Sequence, residues 1–247
     1  MPASVSPPRA GHSTETNDGA TGRKRRHMHE TPVGQRSASA QAVAHVKEAI
    51  RSGRFSPGQR LLESELTQRL GMSRGPIREA LAQLQVEGFI DVEPHRGARV
   101  HRMSRAEMTE LFHVRALLAA DAARLAAAQI DRGTNRVRLG AELRRQVALR
   151  HGGEVVAYAQ ANVAFHTLID AMSANHLLAS LLDQLQTRVG PFLGIAQSRN
   201  RDRLLEQHVS IAEAILAGDG AAAARKMRLH IDATLRTVMR LDEGWFE

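Results

Sequence analysis

From Ala40 onward the apolar positions fall into a run of short periodic segments. Val43, Val46, Lys47 and Ile50 stand at helical spacing and Gly53 follows as a stop, which predicts a first helix ending near Ser52. Ser56, Pro57 and Gly58 make a turn, Leu61 and Leu62 follow, and a second helix is predicted over Glu63 to Leu70. Its Leu66 and Leu70 share one face, its first turn is acidic, and Gly71 ends it. Ser73 is placed to cap a third helix, with Pro76 in the first turn, a buried stripe of Ile77, Leu81 and Leu84, and Gly88 as its close. Phe89 to Val92 then reads as a strand, Pro94 to Gly97 as a turn with Arg96 at its tip, and Ala98 to His101 as a returning strand.

From about Ser104 to Leu241 the pattern is helical throughout, opening with Leu111, Val114, Arg115, Leu118, Ala122, Leu125 and Ala126 as one amphipathic face. Breaks are expected near Gly133, His151 to Gly153, Ser173 to Asn175, Pro191, and Gly218 to Gly220, giving about six helices. Few aromatics and many Ala and Leu favour close helix packing, and the lack of a 20 to 50 residue period favours a bundle over a solenoid. The expected fold is mainly α: a disordered tail at 1–38, a winged helix-turn-helix with a β-hairpin at 39–102, and an antiparallel helical bundle at 104–242. The tail is rich in Ser, Thr, Pro, Gly and His, with too few large apolar groups to offset ordering entropy. Its run Arg23 to Arg26 reads as a solvated basic cluster that can add phosphate attraction.

Composition narrows the chemistry. The 247 residues contain no cysteine, so disulfides and thiolate metal sites are excluded and any metal must be held by His, Asp, Glu or amide groups. No apolar run suits a membrane span and no apolar stretch follows a basic N-terminus, so the expectation is a cytoplasmic protein without membrane partners. The formal charge of +8 points to a polyanionic partner. That excess is spread along the chain, but arginines gather locally at Arg74 and Arg78 and at Arg96, Arg99 and Arg102.

The tight turn Gly71, Met72, Ser73 joins two helices in the arrangement that lets the second enter a major groove. Arg74 and Arg78, four apart at its N-terminal end, can reach guanine edges or phosphates, and Arg96 can sit beside a minor groove. Arginine pairs on helices are also common as solvated surface charge. The stretch with Pro57, Gly58, Leu61, Glu63, Leu66, Leu70, Gly71, Ser73, Arg74, Pro76, Ile77, Arg78, Glu79, Ala80, Leu81, Leu84, Glu87 and Gly88, continuing to Pro94, Arg96 and Gly97, resembles the DNA-binding domain of the GntR family. The resemblance implies a homodimer on an inverted-repeat operator in double-stranded DNA, with Arg74 and Arg78 reading bases or phosphates, Ser73 as cap and phosphate contact, and Arg96 with Gly97 at the wing tip. Some relatives carry a DNA-contacting arginine where this chain has Ser64, which bears on the operator sequence.

In the bundle, His166, His208 and His230 each fall inside a predicted helix, and Asn162 lies one helical turn before His166. Core or surface histidines are the ordinary alternative to a shared site. Ala164, Phe165 and His166, then Asn175, Gln207 and His208, Ala212, Ile215, Asp219, Met227 and His230 are similar to the looser pattern of the FCD-type, VanR-like ligand domain of the FadR subfamily. That resemblance implies a divalent metal on Asn162, His166, His208 and His230. Nitrogen-rich ligation suits Zn or Ni, and a neutral Asn leaves the ion's charge free to attract an anion. Arg115 is the candidate partner of a small carboxylate effector, with a structural salt bridge as its other reading, and Arg188 is a second candidate. Ala119 departs from an acidic residue common in that domain. The leading expectation is a metabolite-responsive repressor rather than an enzyme; the alternatives are a metal-dependent hydrolase with Asp170 as the nearest acid, and a nucleoid-type protein indifferent to DNA sequence.

Overall fold

The computed structural model describes residues 37–93, 97–149, 155–198 and 201–247. The tail up to residue 36, the wing tip with Arg96, and the expected break at His151 to Gly153 lie outside these residues. Helix α1 (Ala38–Arg51) opens the described chain, capped by Ser37, whose hydroxyl accepts from the Ala40 amide. A two-residue strand β1 (Arg60–Leu61) precedes α2 (Glu63–Leu70) and α3 (Arg74–Val86), and β2 (Ile90–Glu93) and β3 (Gly97–Val100) complete the winged unit. The sheet order is β1-β3-β2, all antiparallel, with Arg60 opposite Arg99 and Val92 opposite Ala98. The third strand was not expected from sequence, and the hairpin strands sit within one residue of their expected limits. Gly71 ends α2 in the left-handed region at φ 62°, a conformation that costs a residue with a side chain about 1–2 kcal/mol. Leu84, Ile77, Leu66, Val46 and Ile50 fill one core between α1, α2, α3 and the sheet.

Helix α4 (Arg105–Ala128) begins the bundle with a reciprocal cap: Ser104 Oγ accepts from the Glu107 amide and the Glu107 carboxylate accepts from the Ser104 amide. It is followed by α5 (Asn135–Ala148), α6 (Val155–Met172), α7 (His176–Ser198), α8 (Arg201–Leu216), α9 (Gly220–Val238) and a 3-10 turn at Glu243–Trp245. The buried face of α4 includes Ala116, Ala119, Ala122, Ala123, Ala126 and Ala127, and these small side chains let α9 lie along it. Pro191 is a correction to the expected helix breaks. It lies inside α7, which runs on to Ser198, because a proline that removes one backbone hydrogen bond can be carried where packing holds the flanking turns. Helix α1 packs against both α3 and α7, so the winged unit and the bundle meet along α7. Among the described residues no helix is long and apolar enough to cross a membrane.

Candidate functional site

Two sets of side chains stand out, one on the winged unit and one inside the bundle. On the winged unit, Ser73 occupies the N-cap position of α3 with extended backbone, but its hydroxyl makes no capping bond, a departure from the expected cap that leaves the group exposed for an outside partner. Arg74 is exposed on the first turn. Arg78, one turn on, is also exposed and donates through Nε to Glu63 of α2 at 2.9 Å. Gly97 opens β3 at φ 80°, a backbone conformation that disfavours any side chain, and Arg60 of β1 lies alongside it. Arg60 was missed by the sequence reading because a strand of two residues leaves no periodic trace. Ser64 is exposed on α2.

Inside the bundle, His166 of α6, His208 of α8 and His230 of α9 meet, although 42 and 22 residues separate them in sequence. His230 Nε2 lies 3.2 Å from His166 Nε2 and 3.3 Å from His208 Nε2. Two nitrogens bound at about 2.05 Å to one tetrahedral ion would be about 3.3 Å apart. Phe165 stacks on the His208 ring at 4.3 Å and fixes its plane.

Two glutamines decide where the protons are. Gln146 of α5, fully buried, donates through Nε2 to the Ala161 carbonyl at 3.0 Å, so its Oε1 is the atom facing His208 Nδ1 at 2.7 Å. Nδ1 of His208 must therefore carry the hydrogen, and Nε2 a lone pair. Gln207 Oε1 accepts from His230 Nδ1 at 2.9 Å with the same result. Burial pushes the His208 imidazole down to about 3. Burial also holds His166 and His230 well below the usual histidine value, helped by the neighbouring histidines and by Arg115. His208 and His230 thus aim two lone pairs at each other across 3.3 Å, a repulsive arrangement that a cation between them makes favourable. Asn162, one turn before His166, is buried, and its Oδ1 has no hydrogen-bond partner. The donor set fits a divalent ion with three imidazole nitrogens and a neutral amide oxygen.

Arg115 of α4 is 3% exposed, and its guanidinium donates to Gln186 Oε1 of α7, with its face 5.7 Å from the Phe112 ring. Among the described residues no carboxylate approaches it within 4 Å, so the expected alternative of a structural salt bridge is not what holds it. Burial lowers its pKa to about 10, against the opposing charge of Asp170. Asp170 itself is raised to about 7 by burial, with Arg115 opposing and Asp183 adding to the rise. Asp170 stands outside the group of three histidines. Arg188 does not join this site: its guanidinium donates to the Glu87 carbonyl and lies over the Phe89 ring at 5.4 Å, at the junction with the winged unit. Gln146 and Gln186 were missed by sequence reasoning, since one buried amide on a helix leaves no spacing signal, and half-buried Gln207 was part of the family-like pattern but was given no role.

Residues 38–100 match the family model described as bacterial regulatory proteins, gntR family, and residues 110–233 match the FCD domain. The chain is 30% identical over 196 residues to a probable D-xylose utilization operon transcriptional repressor of Paenarthrobacter nicotinovorans, covering 79% of this chain and 86% of that one. It is 31% identical over 195 residues to the HTH-type transcriptional repressor GlaR of Escherichia coli K12, covering 75% and 89%. The solved structure of E. coli McbR/YncC superposes with a TM-score of 0.75 at 22% identity, covering 83% of this chain and 99% of that one.

Proposed function

Because the chain belongs to the GntR family of bacterial regulatory proteins, with an FCD domain as its second half, and is a DNA-binding transcription regulator, we propose that it is a homodimeric repressor relieved by a small carboxylate metabolite. The division of labour follows 39–102 for DNA and 104–242 for sensing and dimerisation, with 1–38 as a tail. Ser73, Arg74 and Arg78, with Arg96 and Gly97 on the wing, contact an inverted-repeat operator: Arg74 and Arg78 lie exposed on one face of α3, the geometry of groove readout.

In the sensing half, Asn162, His166, His208 and His230 hold a divalent ion, zinc or nickel by the chemistry of the donors. The ion supplies a positive charge and an open coordination position to an anionic oxygen. The observation that carries this reading is the pair of neutral imidazoles whose lone pairs converge with no proton between them, beside an unpartnered amide oxygen. Arg115 deepens it. A buried guanidinium whose hydrogen-bond partner among the described residues is a neutral amide suits a second carboxylate oxygen, so the effector is an organic acid held between ion and arginine.

Metal analysis of untagged protein, followed by thermal-shift measurements against a panel of small carboxylates with and without zinc, tests the reading. One metal per chain and a stabilisation by one acid that vanishes with chelator are expected. Metal-free protein that takes up no zinc, or stabilisation indifferent to chelator, overturns the sensing site while leaving the DNA-binding half in place.

A further inference from the structure

Three consecutive residues of α7 face three different partners. Gln186 accepts from Arg115 inside the bundle, and its own Nε2 is buried with no partner among the described residues. Thr187 accepts from Arg51 Nη2, at the end of α1, at 2.7 Å, and that same nitrogen lies 2.7 Å from Asp183 Oδ1. Arg188 donates to the Glu87 carbonyl at the end of α3 and covers Phe89. Successive helix positions are about 100° apart, so one helix turns one residue toward Arg115 and the next two toward the winged unit.

The seat of α1 on α7 is tight. A Cβ on Gly190 would stand 2.3 Å from the Arg51 carbonyl oxygen, so the two backbones touch. Pro191, next in the helix, has no N–H to give the Thr187 carbonyl. The turn that carries the inter-unit contacts is therefore the one where α7 is least held by its own hydrogen bonds.

We propose that Gln186, Thr187 and Arg188 form a relay that couples binding of an anion at Arg115 to the seating of α1 and the end of α3. The proposal rests on the reading of Arg115 as the effector's anchor. An incoming carboxylate competes with Gln186 for the guanidinium, and the Gln186 side chain, already half unsatisfied, loses the one hydrogen bond it makes among the described residues. Helix α7 then relaxes by the small shift or rotation that helices make at such interfaces, about 1–2 Å. Thr187 and Arg188 move with it, and the Arg51 and Glu87 contacts are exchanged or lost. The winged unit is released from the orientation in which α7 holds it, and the spacing of two recognition helices in a dimer changes.

Hydrogen exchange on the full chain, stripped of metal, tests the relay without any effector. Gln186→Ala imitates displacement of the side chain and should speed exchange about 5-fold or more in the segments 49–55 and 87–90, with α4 and α9 unchanged. Gln186→Glu keeps an acceptor for Arg115 and should exchange like the wild type. In a Thr187→Val, Arg188→Ala background the relay is already cut, and adding Gln186→Ala should change those segments no further. Unchanged exchange in Gln186→Ala, or loosening by Gln186→Glu equal to that by Ala, overturns the proposal. Zinc binding to the same proteins, measured by calorimetry, separately checks the metal reading: its failure refutes the sensing site, whereas zinc uptake with unchanged exchange in Gln186→Ala refutes the relay alone.

Discussion

Arg78 of α3 and Glu63 of α2 form an ion pair with Nε 2.9 Å from Oε2, on the exposed face expected to meet DNA. Exposed pairs of this kind contribute at most about 1 kcal/mol, so the arginine can leave its partner for a base or a phosphate. Arg78→Ala should cost about 1–3 kcal/mol of operator binding and relax sequence choice. Glu63→Gln should tighten binding to all DNA alike by removing a negative charge from that face. Competition gel shifts at fixed salt measure both, and unchanged discrimination in Arg78→Ala would remove Arg78 from the base readers.

Asn162→Asp should bind zinc more tightly than the wild type, because a carboxylate neutralises charge that an amide leaves in place. Calorimetry in competition with a chelator measures the change, and a folded variant with no gain speaks against Asn162 as a ligand.

Gln146 is the more surprising lever, since it would touch no metal. Its amide holds the hydrogen on His208 Nδ1. Gln146→Leu should lower zinc affinity about 10–100-fold. Nitrogen-15 shifts of the His208 ring in metal-free protein should show the single Nδ1–H form give way to a mixture. A fixed tautomer in the variant contradicts the role.

Acid should destabilise the metal-free protein in a defined window. Three imidazoles have folded values below their unfolded value of about 6.5, His208 as low as about 3, so their stabilisation is complete above 6.5 and lost as pH falls. Asp170 acts in the opposite sense: raised to about 7, it stays protonated in the fold while the unfolded carboxyl is ionised above about 4. As pH falls below 6.5 unfolding therefore takes up protons at the imidazoles and gives one up at Asp170, and Asp170→Asn removes that opposing release. Melting temperatures across that range should fall more steeply in the variant; equal slopes would contradict the buried state of Asp170.

Gly190→Ala should destabilise the chain by about 1–3 kcal/mol, because the added methyl meets the Arg51 backbone rather than a side chain that can swing away. Urea denaturation reads the cost, and a neutral result would mean that α1 is not seated on α7 in solution.

Helix α2 was legible to the residue because an acidic first turn and a glycine in left-handed geometry mark both of its ends. The six helices of the bundle were legible in number, yet one break was misplaced: proline at 191 lacks a donor, but burial against α1 holds the helix together across it. Helical spacing could show that Arg188 lies on α7 but not which neighbour that face would meet, and its partner is 101 residues away. The histidines were found by likeness to a family, since separations of 42 and 22 residues carry no local pattern. Of the glutamines that orient them, Gln207 stood in the family-like pattern without a role, and the buried Gln146 carried no signal.

If Asn162 is a ligand, as proposed, its neutral amide bears on what the cell can read from this regulator. On the proposed assignment no carboxylate stands among the protein donors, so a dication held there would keep its charge beside the buried guanidinium of Arg115, and an organic anion entering the site would relieve that excess. Ion and anion then each raise the other's affinity by the same factor. On that reading the response would be a conjunction of two supplies: metal starvation and scarcity of the metabolite would give the promoter the same message, and only their joint abundance the other.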